Sequence, residues 1–309
     1  KGIFKFLIVI GSLLTVLVIF LVSYVIFDSN IYDELYSKIE VTAHRGNSTV
    51  TMPNTIPAFK EAIKEGADYG ELDVRQTKDN VIVVTHDASL KEMTGQDINV
   101  RDLTYEELQK IPCIEVNGNK CTVPKLEDVI NVCKGKIKLN IEIKTGNNDS
   151  EDFVSDVVKI IENTDFVDKC VVTSLDYRAL RKVKECNPKI KTGYIMAVAM
   201  GDFYDLPCVD FFRMETTFVN GRVVERAHKL NKEIHVWTVN DDDSLKKCVE
   251  LEVDNIITDN VAGAKSAIAT HGDDVFSIVL NQLKESDNSK ENIKKTNRIL
   301  EDVTGIEGA

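Results

Sequence analysis

Residues 137–174, IKLNIEIKTGNNDSEDFVSDVVKIIENTDFVDKCVVTS, carry the pattern on which the fold depends. Two apolar runs, 137–143 and 170–174, have strand length, and between them 151–162 repeats Phe, Val and Ile at helical spacing. A strand that returns through a helix to a second strand makes the two parallel, since a parallel pair needs a crossover of about a dozen residues or more. Outward from this unit the alternation continues. Strands are predicted at 40–44, 69–74, 191–196, 208–213, 234–239 and 254–258, and helices at 55–65, 125–133, 177–185, 221–230 and 243–251. Eight strands in a βα series predict an α/β fold of the (β/α)8 TIM-barrel type, with its active site at the C-terminal ends of the strands. One run, Val81 to Thr85, does not fit the series. It follows the second strand across Asp79-Asn80, and a two-residue link makes an antiparallel hairpin. That register pairs Lys78 with Val81 and, counted outward, Asp73 with His86.

Composition agrees with a folded barrel plus extras. The chain has 309 residues, 43% apolar and 28% charged, which excludes disorder for most of it. Fifty acidic residues against 38 basic ones give a formal charge of -12, and such a surface repels phosphate backbones, so nucleic acid is not an expected partner. Seven cysteines without a C-x-x-C pair suggest neither a zinc site nor a disulfide framework. Cys113 and Cys121 bracket Asn117-Gly118, but a two-residue turn there sets Ile114 opposite Cys121, so no disulfide is expected.

The first 30 residues are of another kind. From Phe6 to Phe27 runs FLIVIGSLLTVLVIFLVSYVIF, without a charge. At 1.5 Å per residue this is about 33 Å, enough to cross a bilayer core of about 30 Å. Val25-Ile26-Phe27-Asp28 offers no signal-peptidase site, and the apolar residues lie all round the helix, so a transmembrane anchor is expected. Lys1 and Lys5 precede the span, which places the remainder outside the cytoplasm. Residues 31–39 read as a linker, 40–270 as the barrel, and 271–309 as a polar, partly helical tail.

Chemistry gathers at the predicted strand ends. Glu71 and Asp73 are two apart, so both point to one face of their strand, where they could share a cation. Glu142 and Lys144 repeat the spacing on the third barrel strand, as an ion pair or as site residues. His44, Arg45 and Gly46 end the first strand, and the hairpin brings His86. A barrel collects all of these at one mouth. Burying carboxylates without partners is costly, so a cation or basic groups must lie close. His228 and His235 receive no catalytic role.

These residues resemble a known family. The run His44-Arg45-Gly46, then Asn54-Thr55, Gly70-Glu71-Leu72-Asp73-Val74, Thr77-Lys78-Asp79, His86-Asp87, Asn140-Ile141-Glu142-Ile143-Lys144 and Trp237-Thr238-Val239-Asn240 is similar in order and spacing to the glycerophosphodiester phosphodiesterases. The resemblance spans roughly residues 40 to 265 and implies a phospholipase-type barrel that hydrolyses glycerophosphodiesters to an alcohol and glycerol 3-phosphate. It implies that Glu71, Asp73 and Glu142 hold one divalent cation, that His44 and His86 act as acid and base, that Arg45 and Lys144 contact phosphate, and that Trp237 walls the substrate pocket. The anchor resembles that of membrane-attached bacterial members. Two departures stand out. Met52-Pro53-Asn54-Thr55 replaces the family's Pro-Glu-Asn-Thr, and Ile257-Thr258-Asp259 continues to Asn260 where a proline is usual.

The implied chemistry explains the residue types. A phosphodiester is anionic and repels nucleophiles, so a hard cation and basic side chains must neutralise its oxygens, and oxygen-only ligands favour Ca2+ or Mg2+. An alkoxide leaves poorly, so one imidazole protonates it while the other takes a proton from water or from the adjacent glycerol hydroxyl. Substrates expected of such an enzyme at the outer face of the cell membrane are glycerophosphodiesters, lysophospholipids or glycerol-phosphate polymers. The alternative is a non-catalytic barrel that binds the same ligands, although a binder has no need of a paired acid and base.

Overall fold

The computed structural model describes residues 39–196 and 203–270. Nine strands form its sheet: β1 (Glu40–Ala43), β2 (Tyr69–Gln76), β3 (Ile82–Val84), β4 (Lys138–Ile143), β5 (Cys170–Ser174), β6 (Lys191–Met196), β7 (Phe211–Glu215), β8 (Glu233–Trp237) and β9 (Asn255–Thr258). Eight of them are parallel and close into a barrel, because β1 pairs with β2 on one side and β9 on the other. Helices follow the strands as the sequence periodicity predicts, including Ile56–Lys64, Leu126–Cys133, Phe153–Asn163, Tyr177–Cys186, Gly221–Lys229 and Asp242–Glu250. Among the described residues no helix is long and apolar enough to cross a membrane. The anchor expected at 6–27, the linker up to residue 38 and the tail from 271 lie outside the described residues.

The outer faces of the strands supply the apolar core. Leu72, Val74, Leu139 and Ile141 are fully buried on the same shell as Phe59, Val129 and Ile130 of the flanking helices. The sixth barrel strand, β7, starts three residues later than the sequence pattern suggests. Asp210 is drawn out of it, its carboxylate accepting the Thr192 N–H at 2.7 Å and pairing with Lys184 at 2.7 Å.

The ninth strand is the hairpin partner, β3, antiparallel to β2. Its register differs by one residue from the sequence expectation. Val74 faces Val84 and Gln76 faces Ile82, so Thr85 stands opposite Asp73 and its N–H donates to the Asp73 carbonyl at 3.0 Å. The turn has three residues, Lys78-Asp79-Asn80, closed by Thr77 N–H to Val81 O at 3.0 Å, with Asn80 left-handed at φ 62°. This is the common three-residue hairpin loop, a tight turn followed by one left-handed residue, a conformation asparagine tolerates. His86 therefore lies beyond the strand. The Cys113 and Cys121 register also shifts. Val116 pairs with Asn119 as a two-residue turn requires, yet Cys113 N–H donates to Cys121 O at 2.9 Å; both cysteines are free thiols. Residues 81–125 pack a small core of their own, in which Val83, Leu90, Met93, Val100, Leu108 and Val123 are buried with Met52.

Inside the barrel the inward positions form layers. At the N-terminal end Lys138 pairs with Glu40 at 2.6 Å and Lys191 pairs with Glu233, which His235 also contacts at 3.1 Å. Burial would raise the Glu233 carboxyl, but hydrogen bonds from His235 and Lys191 hold it down to about 2. Above this ring Tyr69, Val171 and Phe211 meet from non-adjacent strands, and His235 stacks on Phe211 with centroids 3.9 Å apart. Phe211 can fill the lumen because its neighbour is Gly193. A Cβ on Gly193 would come within 2.1 Å of the Phe211 ring. Gly193→Ala should therefore cost about 1–3 kcal/mol of stability, read from the denaturant midpoint, because a packed core resists added volume. Combining it with Phe211→Leu should recover part of that loss, and strict additivity of the two would contradict the clash.

Candidate active site

At the opposite, C-terminal end three carboxylates converge. Glu71 and Asp73 alternate inward on β2, and Glu142 enters from β4, where register sets it beside Asp73. Each is at most 3% exposed. A ligand oxygen of each lies within 4.8 Å of the others, so the group could hold a metal ion. Three buried oxygen donors fit a hard divalent cation better than a thiophilic one.

Protein donors account for every one of these oxygens. Glu71 Oε2 accepts the Arg45 backbone N–H at 2.9 Å, and Glu71 Oε1 accepts Arg213 Nη1 at 2.9 Å. The same Nη1 donates to Glu142 Oε2 at 2.9 Å. Lys144 Nζ lies 2.5 Å from Glu142 Oε1 and 3.3 Å from Asp73 Oδ1. Asn54 Nδ2 donates to Asp73 Oδ2 at 2.8 Å, and Arg45 Nε is 3.6 Å from the same oxygen. Lys144 thus forms the ion pair that the sequence allows, within the predicted site. Burial pushes the Asp73 carboxyl up, but Lys144, His86, Asn54 and Arg45 together hold it below the ordinary carboxylate range. For Glu142, burial and the neighbouring Asp73 and Glu71 charges prevail over Arg213 and Lys144, and its affinity for a proton rises.

Local structure explains how the β1 turn reaches this cluster. Arg45 and Gly46 are both left-handed, at φ 54° and 76°, which turns the Arg45 N–H toward Glu71. A Cβ on Gly46 would lie 2.7 Å from Ala58, so glycine is needed where the turn packs on helix Ile56–Lys64. Asn54, at φ 61°, takes its place against Asp73 without the acidic neighbour usual in such motifs; Pro53 stands there.

The histidines occupy the rim. His44 Nδ1 lies 2.9 Å from Asp259 Oδ1, and Asp259 also accepts Ser48 Oγ at 2.9 Å and Asn240 Nδ2 at 2.7 Å. His86 Nδ1 lies 2.8 Å from Asp87 Oδ1, and Arg75 Nε donates to the His86 carbonyl at 2.8 Å. A carboxylate can only accept, so each ring carries its proton on Nδ1 when neutral and leaves Nε2 for chemistry. Burial would raise the Asp259 carboxyl, but the hydrogen bond and charge of His44, with Asn240 and Ser48, lower it to about 2. A second group, His86, Asp87 and Glu92, also lies within metal-ligand reach, but it is open to water, whereas the triad is buried. Trp237 is half-buried, its ring centroid 5.2 Å from the Arg213 guanidinium carbon.

All eight residues expected from the sequence are thus on β1, β2, β3, β4 and β8 or the segments just beyond them, at one end of the barrel. The family model of the glycerophosphoryl diester phosphodiesterases matches residues 44–262, which takes in every one of them. The chain belongs to this family. A glycerophosphodiester phosphodiesterase of Caldanaerobacter subterraneus is 31% identical over 230 residues, 72% of this chain and 95% of that protein. A mouse lysophospholipase D is 26% identical over 258 residues, 70% of this chain and 82% of that protein. In fold, the chain is similar to an Oleispira antarctica phosphodiesterase solved with the product sn-glycerol-3-phosphate, with a TM-score of 0.70 at 23% identity, over 76% of this chain and 99% of that one. As a member of the family the chain is an enzyme of the phosphodiesterase class.

Four residues of this candidate site carry no role in the sequence expectation. Asn54 and Asp259 belong to quoted motifs, but their partners are distant in sequence. Arg75 continues the Glu71, Asp73 alternation by one more step, and that spacing was a usable signal. Arg213 stands alone as a charge in the apolar run Phe211 to Met214, the only sign that something anionic faces it.

Asp259 makes a pH prediction. Its pKa falls on folding from the ordinary 3.8 to about 2. The stability it contributes is full above about pH 4 and is lost as pH falls toward about 2. Asp259→Asn should therefore melt below the parent protein near neutrality, and the gap should narrow as acid is added through that window. A gap that is constant down to pH 2, measured by thermal melts across the range, would contradict the assignment.

Proposed function

We propose that the enzyme hydrolyses glycerophosphodiesters to an alcohol and glycerol 3-phosphate by two-histidine acid–base catalysis over a divalent cation, Ca2+ or Mg2+. The observation that carries this reading is the meeting at one barrel mouth of two carboxylate-oriented histidines and a buried carboxylate triad. Glu71, Asp73 and Glu142 would hold the cation, which when bound neutralises charge on the phosphoryl oxygens as a Lewis acid. Arg45, at the rim with Lys144 deeper in, adds positive charge for the phosphate.

His44 and His86 reach the mouth on separate segments, one from the turn after β1 and one from beyond β3, both strands that pair with β2. With Nδ1–H tied to Asp259 and Asp87, each Nε2 is free to take or give a proton at the reacting oxygens. One accepts the proton of the attacking water or neighbouring glycerol hydroxyl, and the other donates to the departing alkoxide. A barrel that only bound the diester would have no use for two such rings. Substrates of the class named for the relatives, glycerophosphodiesters and lysophospholipids, fit this chemistry, as would glycerol-phosphate polymers. Trp237 would wall the pocket on the β8 side. With the apolar span 6–27 as an anchor, the barrel would act at the outer face of the cell membrane.

The test is turnover of glycerophosphocholine with and without chelator. Excess EDTA should abolish it, as should Ala at Glu71, Asp73 or Glu142, and full activity in EDTA would sink the metal reading. His44→Ala and His86→Ala should each lower turnover by about 10²-fold or more. A substrate whose leaving group needs no proton should rescue the loss of the acid and not that of the base, so equal rescue would contradict the division of roles.

Anchoring has its own test. A chain starting near Ile31 should keep its rate on glycerophosphocholine and lose rate on lysophospholipid vesicles relative to the full chain. A truncated protein that folds but fails on the small diester would show that the apolar segment takes part in the site.

A further inference from the structure

The barrel lumen carries a cation of its own. Arg213, 2% exposed, reaches from β7 across the barrel to carboxylates on β2 and β4. One nitrogen, Nη1, stands 2.9 Å from Glu71 Oε1 and 2.9 Å from Glu142 Oε2, bridging two of the three members of the triad. An arginine in a protein does not lose its proton, so this charge is permanent. Nor is the side chain free to withdraw. Its Nε is buried without a hydrogen-bond partner, Trp237 covers one side, and Phe211 precedes it by two residues on the inward face of β7. A guanidinium pushed off both glutamates would be left as an unpaired charge away from water, at a cost that exceeds the loss of a surface pair.

Arg213 therefore divides the oxygens of each glutamate. One oxygen of Glu71 and one of Glu142 belong to the guanidinium, while the other two face the rim, where the Arg45 N–H and the Lys144 ammonium meet them. Lys144 is partly exposed on an unbranched stem, and an ion could displace it; Arg213 is buried and boxed in. The guanidinium charge beside one oxygen of each glutamate repels an ion there, so while Arg213 stays Glu71 and Glu142 favour holding an ion through the rim-side oxygen alone. Mg2+ is satisfied by a few single carboxylate oxygens and retained water, whereas Ca2+ gathers six to eight oxygens and commonly takes both from one carboxylate.

We propose that Arg213 is the specificity-determining residue for the cation: by keeping one oxygen of Glu71 and one of Glu142, it tilts the site toward Mg2+ and away from Ca2+. This rests on the reading of Glu71, Asp73 and Glu142 as the ligands. Calorimetric titration of the full chain with Mg2+ alone and Ca2+ alone, in the parent, Arg213→Met, Arg213→Lys and Glu71→Gln, tests it without reference to turnover. Removing the guanidinium frees both glutamates, so the Mg2+ to Ca2+ affinity ratio should fall at least about tenfold in Arg213→Met. Arg213→Lys keeps the lumen charge, and so the fold, with one contact point in place of a planar fork; its ratio should fall between the two, and it decides the matter if the Met variant does not fold. An unchanged ratio in a folded Arg213 variant, in a protein whose binding Glu71→Gln abolishes, overturns the inference alone. A parent chain that binds neither ion, or binds both equally well after Glu71→Gln, overturns the reading of the triad and the inference with it.

Discussion

Three carboxylates, each at most 3% exposed, can stand together in a barrel lumen only because cations reach them from several strands at once. Arg213 comes from β7, Lys144 from the end of β4, and Arg45 from the turn after β1. Removing any one partner would leave charge buried without compensation, which costs more than the same pair returns when both members are present. The positions of the β1 turn, of Asn54 and of β7 are thus bound to one another through the triad. The left-handed pair at Arg45 and Gly46 exists to deliver an N–H to Glu71, and the close approach of Gly46 to Ala58 fixes that turn on its helix.

Depth separates two kinds of chemistry in the site. The carboxylates lie inside, where Glu71, Asp73 and Glu142 are shielded from water with Arg213 and hold their geometry through mutual contacts. The imidazoles lie at the rim, where His44 and His86 meet water and are oriented by Asp259 and Asp87. His86 and Asp87 arrive on the segment between β2 and β4, which has its own small apolar core. The rim is therefore assembled from the barrel and from an accessory layer whose packing is local to it.

The eight barrel strands were legible because helix and strand periods alternate from 40 to 258 apart from the inserted segment 81–125, and the two-apart carboxylates were legible because a strand makes face and spacing equivalent. What the sequence hid was non-local or depended on one residue. Asn80 adopts a left-handed conformation that lengthens the β2–β3 turn by one residue, so Asp73 faces Thr85 and His86 reaches the mouth from beyond the strand end. The same kind of slip brings Cys113 beside Cys121 after a turn that fits the two-residue rule. Arg213 escaped for a different reason. Its partners lie 142 and 71 residues away, across the barrel, and no local pattern marks a side chain for a charge on the opposite wall.

The ion-paired ring of Glu40, Lys138, Lys191 and Glu233, with Tyr69, Val171 and Phe211 packed above it, makes the lumen a well with a closed bottom. Whatever reaches the carboxylates through the lumen enters at the C-terminal end, and whatever leaves does so by the same opening. A well with one opening imposes an order on its contents: what lies deepest must enter first and leave last.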